Sequence, residues 1–115
     1  MFDERRIYPR VACNLPAELE TSTGESIDVR IVNLSRGGFY VEGDASLVGI
    51  ESPQGVGPIE IWLHFGLPTS ALHCHCRVVY KRRHAHDHVG LGLNLISTDH
   101  QAIEQLDDFV GNNLQ

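Results

Sequence analysis

Val11-Ala12-Cys13-Asn14-Leu15-Pro16-Ala17-Glu18-Leu19-Glu20 decides the fold class. Val11, Cys13, Leu15, Ala17 and Leu19 alternate with Ala12, Asn14, Pro16, Glu18 and Glu20. A period of two sends the two sets to opposite faces of an extended chain, so the segment reads as a strand with one apolar face. Pro16 falls in the polar set and has no N–H to donate, which places this strand at an edge or gives it a bulge.

The same period continues outward from that strand. Thr21 to Gly24 is a turn by composition, and Ile27, Val29 and Ile31 then alternate with Asp28 and Arg30 in a second strand. Asn33 to Gly38 is a second turn, and Phe39 and Val41 open a third strand. Gly43 to Gly57, rich in glycine, reads as a long surface loop. Ile59, Ile61, Leu63 and Phe65 form a fourth strand ended by Gly66-Leu67-Pro68. Leu72, Cys74, Cys76, Val78 and Tyr80 are expected on the inner face of a fifth, and Val89, Leu91, Leu93 and Leu95 on that of a sixth. Arg82 to His88 reads as a charged hairpin loop between these two. The period then changes. Ala102, Ile103, Leu106, Phe109 and Val110 recur at helical spacing. Thr98 with Gln101 fits a capping box, Asp99 falls in the first turn, and Gly111 is the expected stop. The expectation is an all-β dominated fold: a closed or nearly closed six-stranded antiparallel barrel over residues 11–97, with a C-terminal helix over 98–111. Residues 1–10 form an arginine-bearing segment expected to be flexible without a ligand.

A chain of 115 residues suits one domain with one core. Its 42% hydrophobic and 21% charged residues argue against a disordered chain. No apolar run approaches the length of a membrane-spanning helix, so no membrane insertion is expected. The opening residues lack the apolar stretch of a secretory signal. Cys13, Cys74 and Cys76 are an odd count without scaffold spacing, so reduced thiols and a cytoplasmic location are expected. A net charge of −6 excludes general binding to a nucleic-acid polymer. The arginines are nevertheless clustered, which suits a small anionic ligand.

Two stretches carry binding chemistry. Arg5-Arg6-Ile7-Tyr8-Pro9-Arg10 precedes the first strand, and Pro9 biases Tyr8 to an extended form. Guanidinium groups offer planar paired donors for phosphates and for the O6/N7 edge of guanine. Asn33-Leu34-Ser35-Arg36-Gly37-Gly38 joins two strands. Asn33 and Ser35 point to the same side, and the glycines allow close approach of a ligand. Read singly, the first is an ordinary charged terminus and the second an ordinary turn.

Together, with Arg6, Arg10, Asn33, Ser35 and Gly38 in place and six strands and a closing helix in order, the chain resembles the PilZ domain family. That family is marked by R-x-x-x-R and [D/N]-x-S-x-x-G. The resemblance covers nearly the whole chain. It implies a non-enzymatic bacterial receptor for the second messenger cyclic di-GMP, signalling by conformational change to a downstream protein. On the family pattern Arg6 and Arg10 would grip guanine edges and phosphates, Asn33 and Ser35 would contact a guanine, and Gly38 would shape the turn. Asn33 stands where many members carry Asp. An arginine at the position of Arg5 is associated in the family with a stacked ligand dimer, so two molecules per domain are expected, with Arg36 and Gly37 completing the site. No metal and no cofactor are expected. The alternatives are a PilZ-like interaction module, as in pilus biogenesis or motility, that has lost the nucleotide, and a zinc-binding protein.

The zinc alternative rests on the seven histidines. His73-Cys74-His75-Cys76 looks like a metal box, but alternation turns the histidines outward and the cysteines inward. His73 and His75 with His64, or His84, His86 and His88 with Asp87, are the candidate sets, and neither has a recognised zinc spacing. No G-x-S-x-G elbow and no phosphate-binding loop is present, and a thiol nucleophile at Cys74 or Cys76 is disfavoured because alternation buries both. Trp62, on the polar face of the fourth strand, is expected to lie under the helix or to meet a partner.

Overall fold

The computed structural model describes residues 8–52 and 54–114. Six strands, β1 (Val11–Glu20), β2 (Ser26–Ser35), β3 (Gly38–Gly43), β4 (Ile59–Leu67), β5 (Ser70–Ala85) and β6 (His88–Ser97), form a closed barrel in the order β1-β2-β3-β6-β5-β4. Every pairing is antiparallel. The inward residues read from the alternation fill it: Leu19, Ile31, Phe39, Val41, Ile61, Leu63, Leu72, Leu91 and Leu93 are buried, and so is Leu34, because β2 runs on to Ser35 through much of what reads as a turn. Phe39 and Phe65 meet edge to face inside.

Pro16 has both features its chemistry called for. The β1–β2 register shifts between Ala12 and Leu15, and β4 pairs only with Ala17–Glu20 of β1. Pro16 therefore lies beyond the β4 ladder, where its missing donor costs no bond.

Helix α1 (His100–Asn113) buries Ala102, Leu106 and Val110 across the end of the barrel. It is tied there by Ser70 to Gln105 and by Arg36 to Asp107. The opposite end is plugged by a short 3-10 turn, Ala45–Gly49, with Leu47 and Ile50 buried. Lys81 holds that turn by donating to the carbonyls of Val48 (2.9 Å) and Ile50 (2.7 Å). The expected surface loop thus supplies part of the core.

Several expectations are corrected. Asp99, rather than Thr98, caps α1, accepting from the Ala102 amide at 2.8 Å, while the Thr98 hydroxyl donates to the His73 carbonyl. Gly111 lies inside the helix, which runs on to Asn113, whose side chain donates to the Phe109 carbonyl. The supposed loop from Arg82 to His88 is mostly strand, with Ala85 paired to His88 across a tight turn. A register shift between Val78 and Tyr80 inserts Val79 and turns Tyr80 outward, leaving it 46% exposed. Trp62 does not lie under the helix. It stacks on His75 (5.1 Å between centroids) and His64 (6.4 Å) and is 42% exposed.

Candidate functional site

The two sequence stretches meet on the outside of the barrel. Asn33 leaves β2 beside a register shift between Ile31 and Asn33, which turns its side chain outward while Leu34 stays buried. Arg10 immediately precedes β1, whose Ala12 pairs with Asn33. Arg10 Nη1 donates to Asn33 Oδ1 at 2.8 Å, leaving the Asn33 amide group free to donate elsewhere. Arg5 and Arg6 lie outside the described residues, as does the expected flexibility of most of the segment that carries them.

The β2–β3 turn is shaped by its own residues. Ser35 is buried, and its Oγ accepts from the Gly37 amide at 3.1 Å, which leaves the hydroxyl its proton and one lone pair. The Gly37 carbonyl accepts from the Leu95 amide at 2.9 Å. A Cβ on Gly37 would run into the Tyr8 ring, and one on Gly38 would overlap the Leu93 carbonyl oxygen. Gly38 is therefore what lets β3 and β6 come together beside the turn. Arg36 points toward the helix. Its Nε lies 3.7 Å from Asp107 Oδ2, and its guanidinium carbon lies 5.7 Å from the centre of the Tyr8 ring. Tyr8, Arg36 and Gly37 line a cavity of about 500 Å³ with Asn94, Ser97, Thr98 and Ile103.

The sheet register extends this face. Asn33 pairs with Tyr40, Tyr40 with Gly92, and Gly92 with Tyr80. The row toward the turn runs Ser35, Gly38, Asn94, Arg77. The row on the other side runs Arg30, Glu42, Gly90, Arg82. Tyr40, Arg77, Tyr80, Arg82 and Asn94 are the residues that sequence reasoning missed here. Tyr40 is buried, its hydroxyl 2.7 Å from His84 Nε2. Burial, reinforced by the nearby Glu42 carboxylate, pushes its phenol above the ordinary range.

The profile of the PilZ domain family matches residues 4–112. The chain belongs to the PilZ domain family. Among solved structures, this PilZ domain is similar to the Bacillus subtilis inhibitor of motility MotI/DgrA, with a TM-score of 0.72 and 15% identity over 96% of this chain and 51% of that one. The PilZ domain of Escherichia coli YcgR with cyclic di-GMP matches at a TM-score of 0.67 and 11% identity over 96% and 92% of the two chains. Borreliella burgdorferi PlzA in complex with cyclic di-GMP matches at 0.59 and 10% over 92% and 53%. At these identities the likeness is one of fold. This chain spans about half of MotI/DgrA and of PlzA. No curated protein matches its sequence.

The histidines and cysteines separate as alternation required. Cys74 and Cys76 are buried, and burial pushes the Cys74 thiol up to about 11 and that of Cys76 further. His64 Nδ1 lies 2.8 Å from His73 Nδ1, and Glu20 meets the other nitrogen of His64 at 2.9 Å. His75 pairs with Glu60, and His84 and His88 share Glu42. Among the described residues, no three His, Cys, Asp or Glu are grouped to hold a metal ion. No helix among them is long and apolar enough to cross a membrane.

Proposed function

We propose that this PilZ domain is a receptor for cyclic di-GMP and not an enzyme. The ligand would lie on the outer face of β2 and β3, held by Arg6 and Arg10 from the N-terminal segment and by Asn33, Ser35, Gly37 and Gly38 from the turn. Arg5 and Arg36 would supply the further cations that a stacked pair of ligands, with four phosphate charges, requires, giving two molecules per chain. The observation that carries the reading is the 2.8 Å hydrogen bond from Arg10 to Asn33, which draws the two motifs onto one face. A guanidinium fork, an amide donor, a hydroxyl proton and open glycine backbone there match the phosphates and guanine edges of the ligand. The YcgR and PlzA structures with cyclic di-GMP support it by fold. Ordering of the N-terminal segment on the ligand would carry the signal to a downstream protein in the cytoplasm.

Calorimetry of metal-free protein with cyclic di-GMP tests the reading. Binding with a break at two equivalents is expected, unaffected by EDTA. Arg6→Ala and Arg10→Ala are each expected to lose tight binding with an unchanged fold, because removing one partner of a charge-assisted contact buried under the ligand costs about 2–5 kcal/mol. Wild-type affinity in both variants would overturn the site. Loss of ligand after EDTA treatment would favour the zinc alternative, and no binding at all would leave the interaction module.

A further inference from the structure

The wall made by β4 and β5, neither of which pairs with β3, carries chemistry of its own on its outer face. His64 and His73 stand directly opposite each other in the β4–β5 register, so their side chains rise from the same face. The ring centroids are 5.0 Å apart, and His64 Nδ1 lies 2.8 Å from His73 Nδ1. The other nitrogen of His64, Nε2, lies 2.9 Å from Glu20 Oε1. In a neutral ring that contact holds the proton on Nε2 and leaves the Nδ1 lone pair facing His73. A carboxylate placed behind a histidine in this way is the outer-shell partner that orients metal-bound imidazole. Two imidazole nitrogens held tetrahedrally by one zinc ion at about 2.0–2.1 Å lie about 3.3 Å from each other. The two rings therefore need to part by only about half an ångström to admit the ion. Glu18 pairs with His64 from the β1 side and adds negative charge beside the pair.

Within one chain the set stops at two. His75, which alternation places on the same face, is drawn to Glu60 at 3.0 Å, and Trp62 stacks on both His75 and His64. Among the described residues, no third His, Cys, Asp or Glu completes the group. Zinc takes four ligands, so two positions remain to be filled. Beside the pair Trp62 is 42% exposed, a large aromatic surface of the kind enriched where proteins meet. Charge permits two such walls to approach. Glu60 is paired with Arg77 at 3.7 Å, and a dication between the walls is met by Glu18 and Glu20 from both sides.

We propose that His64 and His73 are one half of a zinc site completed by the same pair of a second copy of this chain. A twofold axis through the ion supplies four nitrogens and brings the two Trp62 side chains into one interface. The site is separate from the face that joins Arg10 to Asn33, and the proposal does not depend on the cyclic di-GMP reading.

Titration of metal-free protein with Zn2+ tests it. Calorimetry is expected to break at one Zn2+ per two chains, and sedimentation velocity is expected to show the mass doubling over the same titration. Trp62 is the single tryptophan of the chain, so its emission reports on this wall and is expected to move to shorter wavelength as zinc is added. His64→Ala and His73→Ala are each expected to abolish the doubling, whereas His84→Ala, outside the pair, is expected to retain it. All three side chains stand on the outer face, so the metal-free variants are expected to melt with wild type. A protein that stays monomeric at saturating Zn2+, a break at one ion per chain, or an unmoved Trp62 emission would overturn the proposal, and these readings need no variant. Doubling that survives in both His64→Ala and His73→Ala, or is lost in His84→Ala, would overturn it as well.

Discussion

Arg36 Nε lies 3.7 Å from Asp107 Oδ2, so the β2–β3 turn is tied by charge to the late part of α1. Both side chains are about half exposed, at 48% and 49%, so the pair contributes under about 1 kcal/mol. Asp107→Asn is therefore expected to move the urea midpoint only slightly. By freeing Arg36 for ligand phosphates, it is also expected to tighten cyclic di-GMP binding by a few fold. Calorimetry at low and moderate salt measures this, and weaker binding in the variant would exclude Arg36 as a ligand contact.

Gly38 and Gly66 make a matched pair of substitutions. A methyl group on Gly38 would collide with the Leu93 carbonyl oxygen, whereas nothing lies within reach of one on Gly66. Gly38→Ala is expected to cost about 1–3 kcal/mol, because backbone cannot yield as a side chain can. Gly66→Ala is expected to be neutral or to gain about 0.4–1 kcal/mol by restricting the unfolded chain. Thermal melts of both variants check the contrast, and equal effects would contradict the strand contact at Gly38.

The buried thiols set an alkaline limit. Burial raises Cys74 from 9.0 to about 11, and raises Cys76 as well. The folded state therefore keeps protons that the unfolded chain releases above 9.0. This contribution to stability is complete below that value and is lost as pH rises through about 11. Iodoacetamide at neutral pH is expected to modify the half-buried Cys13 slowly, and Cys74 and Cys76 only on unfolding. Mass spectrometry of the labelled peptides decides it: rapid labelling of Cys74 in folded protein would place that thiol at the surface.

The Arg10–Asn33 bond gives Asn33 a distinct role from an aspartate. Its oxygen accepts from Arg10 and keeps a second lone pair, while its amide group is a donor that an aspartate would lack. Asn33→Asp removes that donor and adds a charge. It is expected to pair Arg10 more strongly and to change ligand affinity by about tenfold or less, as replacement of a neutral by a charged hydrogen bond does. Arg10→Ala in the Asn33→Asp background separates the two effects by a double-mutant cycle, and a zero coupling energy would show that the pair does not act as a unit.

The barrel was legible because one face of each strand is apolar and the other is not. Legibility failed where that contrast vanishes. Val79 is as apolar and β-branched as its neighbour, so nothing in the chain marked it as a bulge residue, and Tyr80 was assigned to the wrong face. Arg82, Arg83 and His84 read as a loop because the end of β5 is exposed and carries no apolar face to alternate. Thr98 and Asp99 are adjacent capping residues, and the choice between them turned on a hydrogen bond from Thr98 to the distant His73. At the candidate site, a motif singles out Arg10, Asn33 and Gly38, and the proximity of Arg10 to Asn33 follows from pairing β1 with β2. The alignment of Tyr40 and Tyr80 in one row with Asn33 was not legible, because it depends on register shifts in two strands.

The pairing of β4 with Ala17–Glu20 alone has a mechanical consequence. The half of β1 nearest the arginines, Val11–Pro16, is laddered to β2 and not to β4. A pull on Arg10 is thus delivered to β2 and the turn that follows it, and through Arg36 to α1, while the β4–β5 hairpin is bypassed. A displacement of the N-terminal half of β1 would carry β2 with it and leave the β4 ladder at Ala17–Glu20 paired.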